Sequence, residues 1–219
     1  MYGPCAEPSS VASLLDGRGA KLGKHGLRAA VAAGTIDPEH VAREARAQLD
    51  AFEDLVGRRP RHVDGHQHVH VVPAIAACLA ALLARAGVRS VRIPSQRSLR
   101  IDDPEARTFY RGVSDEASAA RALYARCGVR STEAFVGLDT GGAASDAERL
   151  RGAVLALADA ASIELMTHPG FPGKGVDAFN ESREREHELR VLCALPFSSL
   201  IDTFRPASFE ELATRGGLR

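Results

Sequence analysis

The run Pro60-Arg61-His62-Val63-Asp64-Gly65-His66-Gln67-His68-Val69-His70-Val71-Val72-Pro73 decides the fold class, together with the Ala/Leu-rich stretch that follows it to Gly87 and with Ser90-Val91-Arg92-Ile93 beyond. Arg61 to Asp64 is a short strand candidate. Pro73 to about Ala86 reads as a helix that opens on proline and stops at Gly87. Ser90 to Ile93, ended by Pro94, is the next strand. A strand, a helix and a second strand in that order form the unit from which parallel α/β sheets are built.

Upstream, Asp37-Pro38 pairs an N-cap with proline at the first helical position, and Val41, Ala45, Leu49, Phe52 and Val56 follow along one face until Gly57. Residues 1 to about 36 show no long amphipathic repeat and read as loop with one short helix. Downstream, residues 95 to 115 are polar and turn-rich, and a helix is predicted from about Ser114 to Cys127. Ala134 to Leu138 is a strand, Ala144 to Ala161 a helix, and Ile163 to Met166 a strand running into Thr167-His168-Pro169-Gly170. A charged helix from Arg183 to Leu192 and a short one from Ser208 to Ala213, opened by a Ser208/Glu211 capping box, complete the chain. The alternation predicts an α/β fold in a single domain over residues 1–219.

The 28 basic and 28 acidic residues cancel, so no one-signed field is available to grip nucleic acid or an anionic membrane. Cys5, Cys78, Cys127 and Cys193 contain no Cys-x-x-Cys pair, which argues for reduced thiols in a cytoplasmic protein rather than a zinc ribbon or disulfide framework. No signal peptide is legible. The longest apolar stretch, Val71 to Ala84, falls short of the roughly 20 residues that a membrane span needs and reads as a buried helix.

The density of imidazoles is the chemical feature. If the run is extended, Asp64, His66, His68 and His70 project the same way. Imidazole and carboxylate together suit a divalent metal, and the position between strand and helix is where α/β proteins build sites. The bland alternative is a solvated histidine turn, or one core histidine with the others in water. His168 follows the Ile163 to Met166 strand, so two readings stand side by side: in a parallel sheet it faces the cluster as general acid to a leaving amine, or it is a turn histidine preceding Pro169-Gly170. Arg92 is a candidate for orienting a carboxylate or touching substrate. Asp102-Asp103-Pro104 reads as a turn or N-cap, and His187 as a residue on a solvated helix face.

The run from Pro60 to Pro73 resembles the signature of the YdjC-like carbohydrate deacetylases. Leu22-Gly23-Lys24, Arg92-Ile93-Pro94, Ala134 to Leu138, Glu164 to Gly170 and Glu188 to Leu192 carry the resemblance along nearly the whole chain, with animal members nearer than bacterial ones. It implies a variant (β/α) barrel and metal-assisted hydrolysis of the N-acetyl amide of an amino sugar or chitooligosaccharide, with a small carbohydrate as substrate. It also implies an Mg2+ or Zn2+ ion held by an Asp from an upstream Asp-Asp motif, a His from a following Gly-x-His motif, and His66. On this view Asp64 and His168 are catalytic, and His68, His70 and Arg92 line the pocket or orient His66. No Asp-Asp pair precedes residue 60, so the expectation is a family domain lacking its N-terminal part. Three readings stay open: a deacetylase, inactive or not as this chain; a non-catalytic binding or regulatory partner, with a homo-oligomer among the candidates; and a different metal hydrolase using Asp64, His66 and His68.

Overall fold

Asp37 and Gly57 fix the ends of a long helix as their chemistry dictates. Helix α1 spans Lys24–Ala32 and α2 spans Pro38–Val56. The Asp37 carboxylate accepts from the Glu39 N–H at 2.8 Å, and Gly57 takes the left-handed φ of 79° that ends the helix. The structure, a computed structural model, describes residues 3–174, 178–195, 200, 203–214 and 217. They fall into two units, Met1–Ile93 with Glu116–Ser131, and Pro94–Asp115 with Thr132–Arg219.

In the first unit, strand β1 (His62–Val63) pairs in parallel with β2 (Ser90–Val91), in the register His62↔Ser90, and Arg130 adds a parallel bridge to Ser90. The crossover between them is α3, Pro73–Arg85, which buries Ile75, Ala76, Leu79, Ala80, Leu82 and Leu83 and packs on α2. This is the strand, helix, strand unit read from the sequence. The segment before α2 is more structured than predicted. It forms a 3-10 helix over Pro8–Leu14, a bridge between Leu15 and Lys21, and α1. Its anchor is polar: the buried Glu44 carboxylate accepts from the N–H groups of Cys5 and Ala6 at 3.0 Å and meets Lys21 Nζ at 2.7 Å. Burial opposes the charge on Glu44, but these bonds and one from Gln48 outweigh it and hold the carboxyl below its ordinary pKa. The apolar face of α2 is used only in part, since Leu49 is buried while Phe52 and Val56 are largely exposed.

Helix α4, Pro104–Arg126, starts ten residues before the predicted position. The Asp103 carboxylate caps it by accepting from the Ala106 N–H at 2.7 Å, so the Asp-Asp-Pro run is a helix start. In the second unit β3 (Ala134–Val136) lies parallel to β4 (Ile163–Leu165). Alternation along β3 sends Ala134 and Val136 to a cluster with Leu150, Val154 and Leu157, and Phe135 to the other face with Leu138 and Met166. Helix α5 is Ala147–Leu155, shorter than predicted because the chain passes into turns from Ala156. Helices α6 (Ala178–Glu181), α7 (Glu184–Ala194) and α8 (Phe209–Thr214) follow. The capping box before α8 forms, with Glu211 N–H donating to Ser208 Oγ at 3.2 Å and Ser208 N–H to Glu211 Oε2 at 2.9 Å. Two parallel pairs linked through helices make the chain an α/β protein; closure into a barrel is not part of the strand pairing among the described residues. Within them no helix is long and apolar enough to cross a membrane.

Candidate active site

The histidine run is not extended. After β1 the backbone coils through a 3-10 segment, His66–Val71, in which Gln67 and His68 take left-handed φ values of 55° and 60°. The expectation that Asp64, His66, His68 and His70 share one face is therefore overturned. His68 and His70 turn inward and are buried, while Asp64 and His66 stay exposed. Two successive left-handed residues without glycine cost on the order of 1–3 kcal/mol each and persist only where the surroundings over-determine them.

The surroundings that do so centre on His70. Its Nδ1 accepts from the Gly65 N–H at 2.9 Å, its Nε2 donates to the Arg92 carbonyl at 2.8 Å, and its own carbonyl accepts the Tyr124 hydroxyl at 2.7 Å. Gly65 fits because it lacks a side chain: a Cβ there would lie 2.7 Å from His70 Nδ1 and 2.9 Å from the His70 nitrogen. Burial drives the His70 pKa down to about 4, so the ring is neutral at physiological pH, in the tautomer its two backbone partners demand. His62 is likewise lowered to about 4 by burial, with its Nδ1 3.1 Å from Ser90 Oγ. Both histidines are spent on structure.

What the loop presents is His66, with Asp64 on its strand side. The Arg92 guanidinium contacts the Asp64 carboxylate at 2.5 Å, and the Arg92 backbone is locked between the Val63 carbonyl and His70. Arg92 thus forms an ion pair with Asp64. An exposed imidazole and an exposed carboxylate two residues apart are groups capable of proton transfer. They are not enough for an ion: among the described residues no three His, Cys, Asp or Glu side chains converge on a metal position. The residues here do not fit a divalent ion by themselves.

His168 lies in the second unit, exposed just past the end of β4. Its backbone N–H donates to Glu188 Oε1 at 3.0 Å, and its ring stands edge-to-face on Phe179 with centroids 5.4 Å apart. The close approach of β3 and β4 here requires Gly137, φ 142°, where a Cβ would meet Met166 at 2.7 Å. His187 is half-buried rather than on a solvated face, because its Nε2 donates to the Ser145 carbonyl at 2.8 Å. Phe179 and Glu188 position His168; the sequence offers Glu188 as part of the resemblance-bearing stretch to Leu192 but gives neither residue this role, because a buried Glu inside a charged helix leaves no periodic signal.

A model of the YdjC-like protein family matches residues 2–203. A human protein named carbohydrate deacetylase is 43% identical over 210 residues, covering 88% of this chain and 64% of that one. Its mouse counterpart is 44% identical over 210 residues, with 67% of its length covered. A chitooligosaccharide deacetylase of Salmonella paratyphi B is 31% identical over 182 residues, 81% of this chain and 63% of that protein. The chain thus spans about two thirds of the length of these relatives. A crystal structure from Enterococcus faecalis V583, described as a candidate cellobiose-phosphate cleavage protein, superposes with a TM-score of 0.70 at 21% identity, over 96% of this chain and 72% of that one. It speaks for the fold alone.

Proposed function

This chain belongs to the YdjC-like protein family, and from that premise we propose that it is a carbohydrate deacetylase, hydrolysing the N-acetyl amide of an amino sugar or chitooligosaccharide. The observation that carries the reading is the His66 loop. A backbone with two left-handed non-glycine residues buries two imidazoles and leaves His66 exposed, two residues after the Asp64 that pairs with Arg92. Strain of this kind clusters at functional sites. The relatives that bear deacetylase names support the reaction class.

Amide hydrolysis needs a group to take a proton from water and one to give a proton to the departing amine. Asp64 and His66 are proposed to meet the acetamide, with Arg92 and the buried His68 and His70 positioning them. His168 is proposed as the proton donor to the amine. An Mg2+ or Zn2+ ion belongs to the expectation drawn from the family resemblance, and this chain's described residues supply only His66 toward it.

Acetate release from N-acetylglucosamine oligomers, with zinc or magnesium in the buffer, tests the proposal. Release should fall at least about a hundredfold in His66→Ala and in His168→Gln. A second reading, a non-catalytic carbohydrate-binding protein, is favoured by the fact that, among the described residues, no three ligand side chains converge. Oligomer binding with no acetate formed would select it.

A further inference from the structure

We infer that the second unit carries a binding site for a small organic anion, a phosphate or carboxylate ligand, built on Arg100 and Arg149. A cavity of about 330 Å³ opens there beside β3 and α5, and neither the histidine loop nor His168 lines it. That volume sits at the small end of the roughly 300–1,000 Å³ typical of ligand sites. Part of its wall is apolar, from Phe135 and Leu157.

The charges around the cavity do not cancel locally. Asp139 is committed, its Oδ1 accepting from Gln96 Nε2 at 2.5 Å and its Oδ2 from the Arg100 N–H at 2.6 Å. Glu148 pairs with Arg151 and Arg97 with Asp159. Among the described residues Arg100 and Arg149 have no carboxylate partner within ion-pair distance, although both line the cavity. Arg149 is half-buried and is oriented by carbonyls instead: its Nη2 donates to Arg100 O at 2.8 Å and to Asp139 O at 2.6 Å. Two neutral acceptors fix the guanidinium plane and leave its charge, Nε and Nη1 for another partner. The Arg100 and Arg149 guanidinium groups face one carboxylate on the same wall, Asp139, which is bonded to neutral donors alone, so one positive charge is left in excess and an anion relieves it.

The wall is held in advance, which lowers the ordering cost of binding. Gln96 Oε1 accepts from the Gly137 and Leu138 N–H groups at 3.0 Å each, tying the rim to the end of β3. Planar guanidinium groups match phosphate and carboxylate oxygens through paired hydrogen bonds. The apolar wall leaves room for an organic body beyond the anionic group.

Calorimetric titration of the full chain with inorganic phosphate, a hexose phosphate and a hexuronate tests the site. Saturable binding of an organic anion is expected, weakened at least about tenfold in Arg100→Gln and in Arg149→Gln and by less than about threefold in Arg97→Gln. Tighter binding of the hexose phosphate assigns a phosphate ligand, and tighter binding of the hexuronate a carboxylate. Arg100→Gln removes an exposed side chain and leaves the fold intact, so binding unchanged in that variant overturns the proposal. So does the absence of saturation by all three probes up to about 10 mM. The titration reads binding alone, so failure of acetate release leaves its outcome untouched.

Discussion

His70 shows how much of the site's order is vested in one side chain. Both ring nitrogens and its carbonyl bind other groups, and a proton on Nδ1 would break the bond from Gly65. The folded pKa values of His70 and His62, about 4, lie below the ordinary 6.5, so the unfolded chain takes up protons first as pH falls. Their contribution is therefore fully present above pH 6.5 and is lost as pH drops toward 4, by up to roughly 3 kcal/mol for each. Urea unfolding at pH 7 and pH 5 should show this loss, and His70→Gln should flatten it; an equal slope in the variant would contradict the assignment. Gly65→Ala, forced against His70, should cost about 2 kcal/mol or more in the same measurement.

At the scale of elements, local signals were legible and distant anchors were not. Asp37 with Pro38, the Ala/Leu-rich stretch between Pro73 and Gly87 and the Ser208/Glu211 box are short-range chemistry, and α2, α3 and α8 stand where these placed them. The coil at His66 was missed because the left-handed residues are dictated by His70 and by Arg92, 22 positions further on, which no periodicity encodes. The N-terminal segment was read mainly as loop because its anchor, Glu44, lies 38 residues from Ala6 and is polar. The early start of α4 was hidden for another reason: Ala106, Phe109, Tyr110 and Val113 do stand at helical spacing behind the Asp103 cap, but they are interleaved with the polar and turn-forming residues that make 95 to 115 read as loop. In the candidate site, the residue types and the strand-end position were readable, whereas the split between buried and exposed imidazoles was not. Tyr124 ties α4 to the loop, so Tyr124→Phe should cost about 1 kcal/mol in chemical unfolding. Leu83→Ala, in the buried face of α3, should cost roughly 2–5 kcal/mol. A smaller loss there would mean that this face is less tightly packed than its burial implies.

For the whole molecule, zero formal net charge supplies no one-signed field for gripping a polyanion. Family membership gives the reaction class to test, and the His66 loop gives the place to test it. The most direct measurement is to follow the imidazole resonances of the eight histidines while adding an N-acetylglucosamine oligomer. His66 should shift saturably with the sugar, and His62 and His70 should remain neutral down to about pH 5. A His66 signal that stays fixed while the oligomer binds would contradict the placing of the sugar at this loop.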